Sequence, residues 1–299
     1  ESGKGFMMWM QSSDLSSLSC AQPSSSVNPG RYDEIEFSGL WQAASSGPLH
    51  LLQDESPMTR LLNKVSIITG AAQGIGLATA LKFAAEGAIV VVCDLRQAGV
   101  DAAVAQCKAL GAQAIGCLMD VTDREMVDAV VAQVKNQFGR IDVLVNSAGH
   151  GPRAPIIEIT DEDWHKGMEV YLLPIIRTTR LVAPIMVEGG GGAIINISTA
   201  WAFEPSAMFP TSAVFRAGLA SYTKIFADDF APKNVRMNNI LPGWIDSLPA
   251  TEARRQSVPM GRYGRADEIA ATVAFLASDG GGYITGQNLR VDGGITRSV

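Results

Sequence analysis

The sequence predicts an α/β fold, a single domain built on a doubly wound parallel sheet of about seven strands with helices on both faces. Three observations carry this prediction. After residue 63, short β-branched runs alternate with helical segments, most of these runs are apolar throughout, and a glycine-rich turn joins the first run to the first helical segment. The strands are expected at 65–69, 88–94, 114–120, 141–146, 193–198, 235–241 and 288–291.

The strand candidates are continuously apolar rather than alternating, as in VSIIT at 65–69 and AIVVVCD at 88–94. A strand covered by helices on both faces has no solvent-facing side, so it reads as an unbroken apolar run. This pattern predicts parallel strands joined by right-handed crossovers. Ligands of such sheets bind at the carboxyl ends of the strands, which is where we expect the functional site.

Two helices have recognisable first turns. Thr122 is followed three residues later by Glu125, which is the spacing of a capping box. Thr160 stands before an acidic triplet at 161–163, whose negative charges favour the positive end of a helix. We therefore expect helices to begin after Thr122 and after Thr160.

Composition argues against several classes of protein. The chain has 299 residues, of which 47% are hydrophobic and 18% charged, as is typical of a compact globular protein. Its net charge of −6 and its lack of a Lys/Arg-rich run argue against a nucleic-acid partner. No run approaches the roughly 18 to 20 apolar residues of a membrane-spanning helix. We expect a soluble, cytoplasmic protein without a membrane partner.

The four cysteines predict no chemistry. Cys20, Cys93, Cys107 and Cys117 show no CxxC spacing and no cluster with histidine that would hold a metal. Cys93 and Cys117 lie inside apolar runs, where a free thiol usually behaves as a small core residue. A reduced intracellular chain without a metal site is the expectation.

The first 57 residues differ in pattern from the rest. Serine-rich stretches such as SSDLSSLSC show neither a helical nor a strand period. They lack the basic start and apolar stretch of a signal peptide, and their acidic residues do not suit a mitochondrial transit peptide. We expect 1–57 to be a leader or linker of irregular structure, dispensable for folding. The domain is expected at 58–299, beginning with Met58.

A glycine-rich turn follows the first predicted strand directly. It reads TGAAQGIG at 69–76 and leads into the amphipathic segment LATALKFAAEG. Glycine allows the tight turn and lets backbone N–H groups approach a pyrophosphate, which the helix N-terminus also attracts. Asp94 ends the second predicted strand 18 residues after Gly76, near the spacing expected of an acid that binds ribose. Together these features predict a dinucleotide site rather than a merely tight turn.

Residues near the ribose position favour NAD(H). A carboxylate at Asp94 accepts hydrogen bonds from both ribose hydroxyls and repels a 2′-phosphate, and Gln73 brings no positive charge to offset that repulsion. NADP(H) stays open as the alternative, because Arg96 lies two residues beyond Asp94.

In these motifs and in others further along, the chain resembles the short-chain dehydrogenase/reductase family, in particular its 3-oxoacyl carrier-protein reductases. The resemblance covers nearly all of 58–299 and includes Asp120-Val121, NSAG at 146–149, PGWIDS at 242–247 and YITGQNLRVDGG near the end. It implies a Rossmann fold with a nicotinamide cofactor. The predicted cofactor-binding residues are Gly70, Ala72, Gln73, Gly74, Ile75, Gly76, Asp94, Leu95, Asp120, Val121, Asn146, Ala148, Gly149, Arg216, Pro242, Gly243 and Ile245.

The resemblance also implies a catalytic set of Asn, Ser, Tyr and Lys, in which the tyrosine exchanges a proton with the substrate oxygen. All four are replaced here. The serine position falls on Thr199, the tyrosine position on Ser212, the lysine position on Arg216 and the asparagine position on Tyr171. Thr199 keeps a hydroxyl and Arg216 keeps a cation that would reach the cofactor ribose. The aliphatic hydroxyl of Ser212, however, is a poor general acid near neutral pH.

Tyr171 offers a replacement. As a phenol beside the expected cleft, with the cation of Arg216 nearby, it would serve as the proton donor. Alternatively, Tyr171 fills the space left by the smaller asparagine and packs against Phe215 or Trp201. His150, directly after NSAG, either contacts substrate at the mouth of the cleft or is an ordinary loop side chain.

Two functions stay open at this point. The first is an NAD-dependent oxidoreductase with an atypical acid/base site, acting on a small-molecule carbonyl or alcohol. The alternative is a catalytically degenerate dinucleotide-binding homologue that acts as a sensor or partner subunit. The complete architecture favours the first and the replaced catalytic set favours the second. The resemblance also implies a homo-oligomer, a tetramer or dimer, with helices near 161–187 and 212–231 at subunit contacts.

Overall fold

The computed structural model describes residues 59–298. In that range the strands are β1 Val65–Thr69, β2 Ile89–Asp94, β3 Ala114–Leu118, β4 Val143–Asn146, β5 Gly192–Ile197, β6 Val235–Pro242 and β7 Asn288–Val291. The helices are α1 Gly74–Ala85, α2 Gln97–Ala109, α3 Arg124–Phe138, α4 Asp161–Tyr171, α5 Leu173–Glu188, α6 Pro210–Phe230, α7 Glu252–Ser257 and α8 Ala266–Ala277. The predicted leader at 1–57 and the domain start at Met58 lie outside the described residues.

The seven strands of 59–298 form one parallel sheet in the order β3-β2-β1-β4-β5-β6-β7. The chain runs outward from β1 to β3 and then returns to the other side of β1 with β4. The connections therefore diverge between β1 and β4, which opens a crevice at the carboxyl ends of these strands. The doubly wound Rossmann sheet is confirmed, and every predicted strand is present with its ends within two residues of the prediction.

Successive side chains of the central strands enter two different cores. Ile68 and Val92 pack in a core that α1, α2 and α8 cover on one face of the sheet. Ile67 and Val91 pack in the core on the other face, under α3, α5 and α6. This double coverage is the reason why the strands read as unbroken apolar runs.

Three cysteines lie within the described residues, and all three are buried free thiols: Cys93, Cys107 and Cys117. Burial raises the pKa of Cys107 to about 11, so its thiol stays protonated at neutral pH. The interpretation of Cys93 and Cys117 as core residues is confirmed, while Cys20 lies outside the described residues.

The helix starts agree with the sequence at one position and differ at the other. Helix α4 begins after Thr160, as predicted, and Thr160 forms a capping box with Asp163. The cap of α3 is Asp123 rather than Thr122, because the Asp123 carboxylate accepts a hydrogen bond from Met126 N at 3.1 Å. The Thr122 hydroxyl instead donates to Asp120 Oδ1 at 2.7 Å. The predicted cap was wrong by one residue, since aspartate caps a helix as well as threonine does.

Helices α4 and α5 together, Asp161–Glu188, are long and apolar enough in length and composition to cross a membrane. Their buried side chains explain this composition. In α5, Val182, Ala183 and Met186 are at most 1% exposed and pack in the core beside the sheet. Core residues therefore account for part of the apolar character of this segment.

A ladder of four asparagines crosses the carboxyl half of the sheet in register, from Asn146 in β4 through Asn196 and Asn239 to Asn288 in β7. Each amide nitrogen along this row donates to the next side-chain oxygen, at 2.8, 2.9 and 2.7 Å. Thr223 of α6 donates to Asn239 Oδ1 at 3.0 Å. The ladder joins β4, β5, β6 and β7, and Asn146 and Asn196 each stand one residue before a residue that lines the cleft, Ser147 and Ile197.

Candidate active site

A cleft of about 1050 Å³ lies at the carboxyl ends of the strands. Its glycine-loop half is formed by residues in 70–75, 94–96 and 119–122. Its tyrosine half is formed by residues in 150–153, 170–171, 197–201 and 209–216, and segments 147–149 and 242–248 complete the lining. The volume reaches the upper end of the roughly 300–1,000 Å³ of ligand sites, which suits a cofactor together with a substrate.

The glycine loop joins β1 to α1 with a conformation that requires glycine. Gly70 and Gly74 have φ values of +65° and +55°, which L-residues rarely adopt. A Cβ on Gly76 would lie 2.1 Å from the Gly70 carbonyl oxygen, so the helix approaches the loop too closely for any side chain. The N-terminus of α1 begins at Gly74 and borders the cleft. This arrangement fits a pyrophosphate bound by backbone N–H groups.

Asp94 stands at the end of β2, as expected, and lines the cleft. Its carboxylate accepts hydrogen bonds from Ala72 N at 3.1 Å and from Arg96 N at 3.3 Å. The Arg96 guanidinium lies 3.7 Å from Asp94 Oδ1 and donates to Gln73 Oε1 at 2.8 Å. The Asp94 carboxylate and the Arg96 guanidinium therefore both lie where the ribose of a cofactor would bind.

Thr122 fixes the carboxylate of Asp120 through its backbone N–H and its hydroxyl, at 2.8 and 2.7 Å. Asp120, Val121 and Leu95 all line the same half of the cleft. Elsewhere in the cleft, the remaining predicted cofactor-binding residues that line it are Gly70, Gln73, Gly74, Ile75, Ala148, Gly149, Arg216, Pro242, Gly243 and Ile245.

Three predicted cofactor-binding residues do not line the cleft: Ala72, Gly76 and Asn146. Ala72 supports Asp94 through its backbone N–H. Gly76 is buried where α1 meets the loop, and Asn146 is buried as the first rung of the asparagine ladder. The roles of these three residues in cofactor binding stay predictions.

The four residues predicted at the catalytic positions, Tyr171, Thr199, Ser212 and Arg216, come together in the tyrosine half. They belong to the end of α4, the turn after β5 and the first turns of α6. The guanidinium of Arg216 lies over the Tyr171 ring, 5.1 Å from its centroid, and donates to the Ile197 carbonyl oxygen. Burial lowers the pKa of Arg216 to about 10, which still leaves it protonated at neutral pH.

The hydroxyl of Tyr171 accepts a hydrogen bond from Gly151 N at 2.7 Å. No acceptor for its own proton is found within residues 59–298. Within these residues Tyr171 forms no aromatic pair with Phe215 or Trp201. Phe215 pairs with Trp164, and Trp201 pairs with Phe209 and Trp244. Tyr171 is instead held between Arg216 and the loop at Gly151.

A model of the adh_short_C2 family, described as Enoyl-(Acyl carrier protein) reductase, matches residues 70–296. The chain belongs to the short-chain dehydrogenase/reductase family. It is 37% identical over 243 residues to the 3-oxoacyl-[acyl-carrier-protein] reductase FabG of Thermotoga maritima, which covers 79% of this chain and 99% of that protein.

Two solved structures of similar proteins contain bound ligands. L-sorbose reductase from Gluconobacter frateurii, complexed with NADPH and L-sorbose, matches with a TM-score of 0.77 and 31% identity over 81% of this chain and all of that one. A 7α-hydroxysteroid dehydrogenase complexed with NADH and a 7-oxo bile acid matches with a TM-score of 0.75 and 33% identity over 80% and 96% of the two chains.

Sequence reasoning missed several residues of this short-chain dehydrogenase/reductase site. Ser198 lines the cleft, and its Oγ, like Arg216 Nε, is buried without a hydrogen-bond partner within 59–298. Arg153 and Phe209 also line the tyrosine half. The position of Ser198 next to Thr199 was the available signal for the first. Nothing local in the sequence indicates the other two, since they meet only through the fold.

His150 lines the cleft and is exposed, so its contact with substrate stays a prediction. The segment 244–263 contains the short helix α7, and its first residues, including Trp244, border the cleft.

Proposed function

We propose that this chain is an NAD-dependent oxidoreductase that transfers a hydride between the nicotinamide and the carbon of a carbonyl or alcohol, with Tyr171 in the place of the usual proton donor. One observation carries the proposal. A single cleft joins a glycine loop that fits a dinucleotide to a buried phenol beside a guanidinium.

A bound nicotinamide dinucleotide supplies or takes up the hydride. In the direction of reduction, the carbonyl oxygen receives a proton from Tyr171 Oη, and an alcohol results. Tyr171 suits this role because its oxygen already accepts from Gly151 N, which leaves the O–H proton for a substrate oxygen. The Arg216 cation beside the ring favours the negative charge that the phenol acquires as its proton leaves.

Thr199 is the residue proposed to orient the substrate oxygen. Its Oγ1 accepts only a 3.4 Å hydrogen bond from Trp201 N, so its proton is available for donation. Ser212 lines the same region and is proposed to bind substrate or water without acting as an acid. Removal of a positioned general acid typically lowers the rate by about 10² to 10⁴-fold.

The preference for NAD over NADP rests on Asp94, whose carboxylate is held by two backbone N–H groups at the end of β2. The repulsion between this charge and a 2′-phosphate supports NAD. Arg96, 3.7 Å away, weakens that repulsion, so NADP is the second choice.

Assembly and location are further parts of the proposal. We propose a homo-oligomer, a dimer or tetramer, that works as a soluble cytoplasmic protein. The support for an oligomer is the exposure of large apolar side chains on α6, where Val214 and Ile225 are 53% and 68% exposed. Size-exclusion chromatography with light scattering would give the mass, and a monomer would contradict this part.

The test is NADH oxidation by the full chain with a panel of ketones, aldehydes and oxoacyl thioesters, repeated for Tyr171→Phe. We expect turnover to fall by about 10² to 10⁴-fold while NADH affinity is unchanged. Tyr283→Phe is the matched control, because Tyr283 is fully exposed and does not line the cleft. Unchanged turnover in Tyr171→Phe would reject the role of Tyr171. Tight NADH binding without turnover of any compound would instead favour the non-catalytic alternative.

A further inference from the structure

Three aromatic side chains form one wall of the tyrosine half: Trp201, Phe209 and Trp244, which we call the aromatic wall. Their ring centroids lie 4.5 to 5.9 Å apart. Val258 and Tyr263 pack behind them in a small core, so the rings are fixed in place. A wall of this kind binds the apolar or ring-shaped body of a substrate through stacking and burial.

Arg153 stands at the edge of this wall. Its guanidinium lies 4.7 Å from the centroid of Phe209, and the residue is exposed and lines the cleft. Its backbone is held close to the proposed proton donor, because Gly151 N donates to Tyr171 and Thr211 Oγ1 donates to Pro152 O at 2.8 Å. The backbone that carries the Arg153 cation is thereby held near the reacting end of the cleft.

No carboxylate within residues 59–298 pairs with Arg153, although the region contains acids. Asp246 accepts from Ala266 N at 3.0 Å. Glu204, three residues after Trp201, accepts from the backbone N–H groups of Arg297 and Ser298, and these hydrogen bonds lower its pKa. Both acids are turned to the backbone, so the charge of Arg153 is available to a ligand.

The second arginine at the wall does not serve the same purpose. Arg254 lies 4.4 Å from the Trp244 ring and donates to Pro249 O at 3.4 Å, but it does not line the cleft. Arg254 therefore supports the aromatic wall, whereas Arg153 faces the space for the substrate.

We propose, on the basis of the oxidoreductase function proposed above, that the substrate is a ketone or alcohol with an apolar, ring-containing body and a carboxylate, which Arg153 binds. The guanidinium offers two parallel N–H donors that match a carboxylate, and an Arg–carboxylate pair is stronger than a neutral hydrogen bond. The aromatic wall holds the body of the molecule, so the ketone is presented to Tyr171.

The experiment compares two probes that differ in one charge, 4-acetylbenzoate and its methyl ester. Binding to the full chain is measured by calorimetry with and without saturating NAD⁺, which does not react with a ketone. We expect 4-acetylbenzoate to bind about 10-fold more tightly than the ester, and the difference to shrink at high salt. Arg153→Met, which keeps the length and apolar stem, should abolish the difference, and Arg153→Lys should keep part of it.

The matched control is Arg255→Met, since Arg255 lies on α7, pairs with Glu252 at 3.6 Å and does not line the cleft. Equal binding of the two probes, absence of binding by 4-acetylbenzoate, or a preference that survives in Arg153→Met would each overturn the inference. NADH oxidation with both ketones separates the two proposals. Turnover of 4-acetylbenzoate that does not depend on Arg153 upholds the oxidoreductase and rejects the carboxylate site. Arg153-dependent binding without any turnover does the reverse.

Discussion

The two halves of the cleft are built in different ways. In the glycine-loop half, the ligand would meet backbone N–H groups and a carboxylate that backbone N–H groups hold, so the site follows from local chain geometry. In the tyrosine half, the functional groups are side chains from α4, α6 and the turn after β5, which only the tertiary fold brings together. The first half therefore depends mainly on backbone conformation, whereas the second depends on the identity of its side chains.

The largest effect in this comparison is expected when a side chain enters the backbone cradle. Gly76→Ala places a Cβ 2.1 Å from the Gly70 carbonyl oxygen, so the loop must shift. We expect NADH affinity to fall by at least about 100-fold, since close backbone approach is what the loop provides. Calorimetric titration with NADH measures this.

Gly218→Ala in α6 is the control for that substitution, because its Cβ would meet nothing closer than Leu172 Cδ2 at 3.9 Å. It should leave NADH binding unchanged and raise stability by up to about 1 kcal/mol. If Gly76→Ala bound NADH as tightly as the parent chain, the backbone of the glycine loop would not determine NADH affinity.

The same difference explains what the sequence predicts and what it does not. The strands, the glycine turn and Asp94 were predictable because each depends on neighbours in the chain: apolar runs, positive-φ glycines and the end of β2. The assignment of the four catalytic positions from their spacing stays a prediction. The contact of Arg216 with Tyr171 and the position of Arg153 on Phe209 were not predictable, because these pairs are 45 and 56 residues apart and meet only after α4 and α6 pack.

The asparagine ladder joins β5, which leads into the tyrosine half, to its neighbouring strands. We therefore expect removal of the ladder to affect that half first. Asn239→Leu leaves Asn196 Nδ2, Thr223 Oγ1 and Asn288 Oδ1 without their partner in a buried site. We expect a loss of about 2 kcal/mol in the free energy of unfolding, with lower turnover and little change in NADH affinity. Urea denaturation and steady-state kinetics measure the two parts.

Asn136→Leu makes the same exchange on the exposed side of α3 and should change stability by less than about 0.5 kcal/mol. Equal stability of the Asn239 and Asn136 variants would show that the ladder is not a structural support. A loss of NADH affinity as large as the loss of turnover would show that the two halves are not supported separately.

The smallest expected effect concerns the end of the glycine-loop half where the cofactor ribose would bind. The choice between NADH and NADPH there is proposed to depend on one side chain, Asp94. Asp94→Ala removes the carboxylate that opposes a 2′-phosphate and leaves Arg96, which already donates to Gln73. We expect the ratio of NADH affinity to NADPH affinity to fall by about 10-fold, mainly because NADH loses its ribose acceptor. Asp101→Ala on α2, exposed and outside the cleft, should leave the ratio unchanged. Tighter binding of NADPH than of NADH by the parent chain would mean that Arg96, and not Asp94, reads the ribose. Even the half that is built from backbone would then owe its choice of cofactor to one exchangeable side chain.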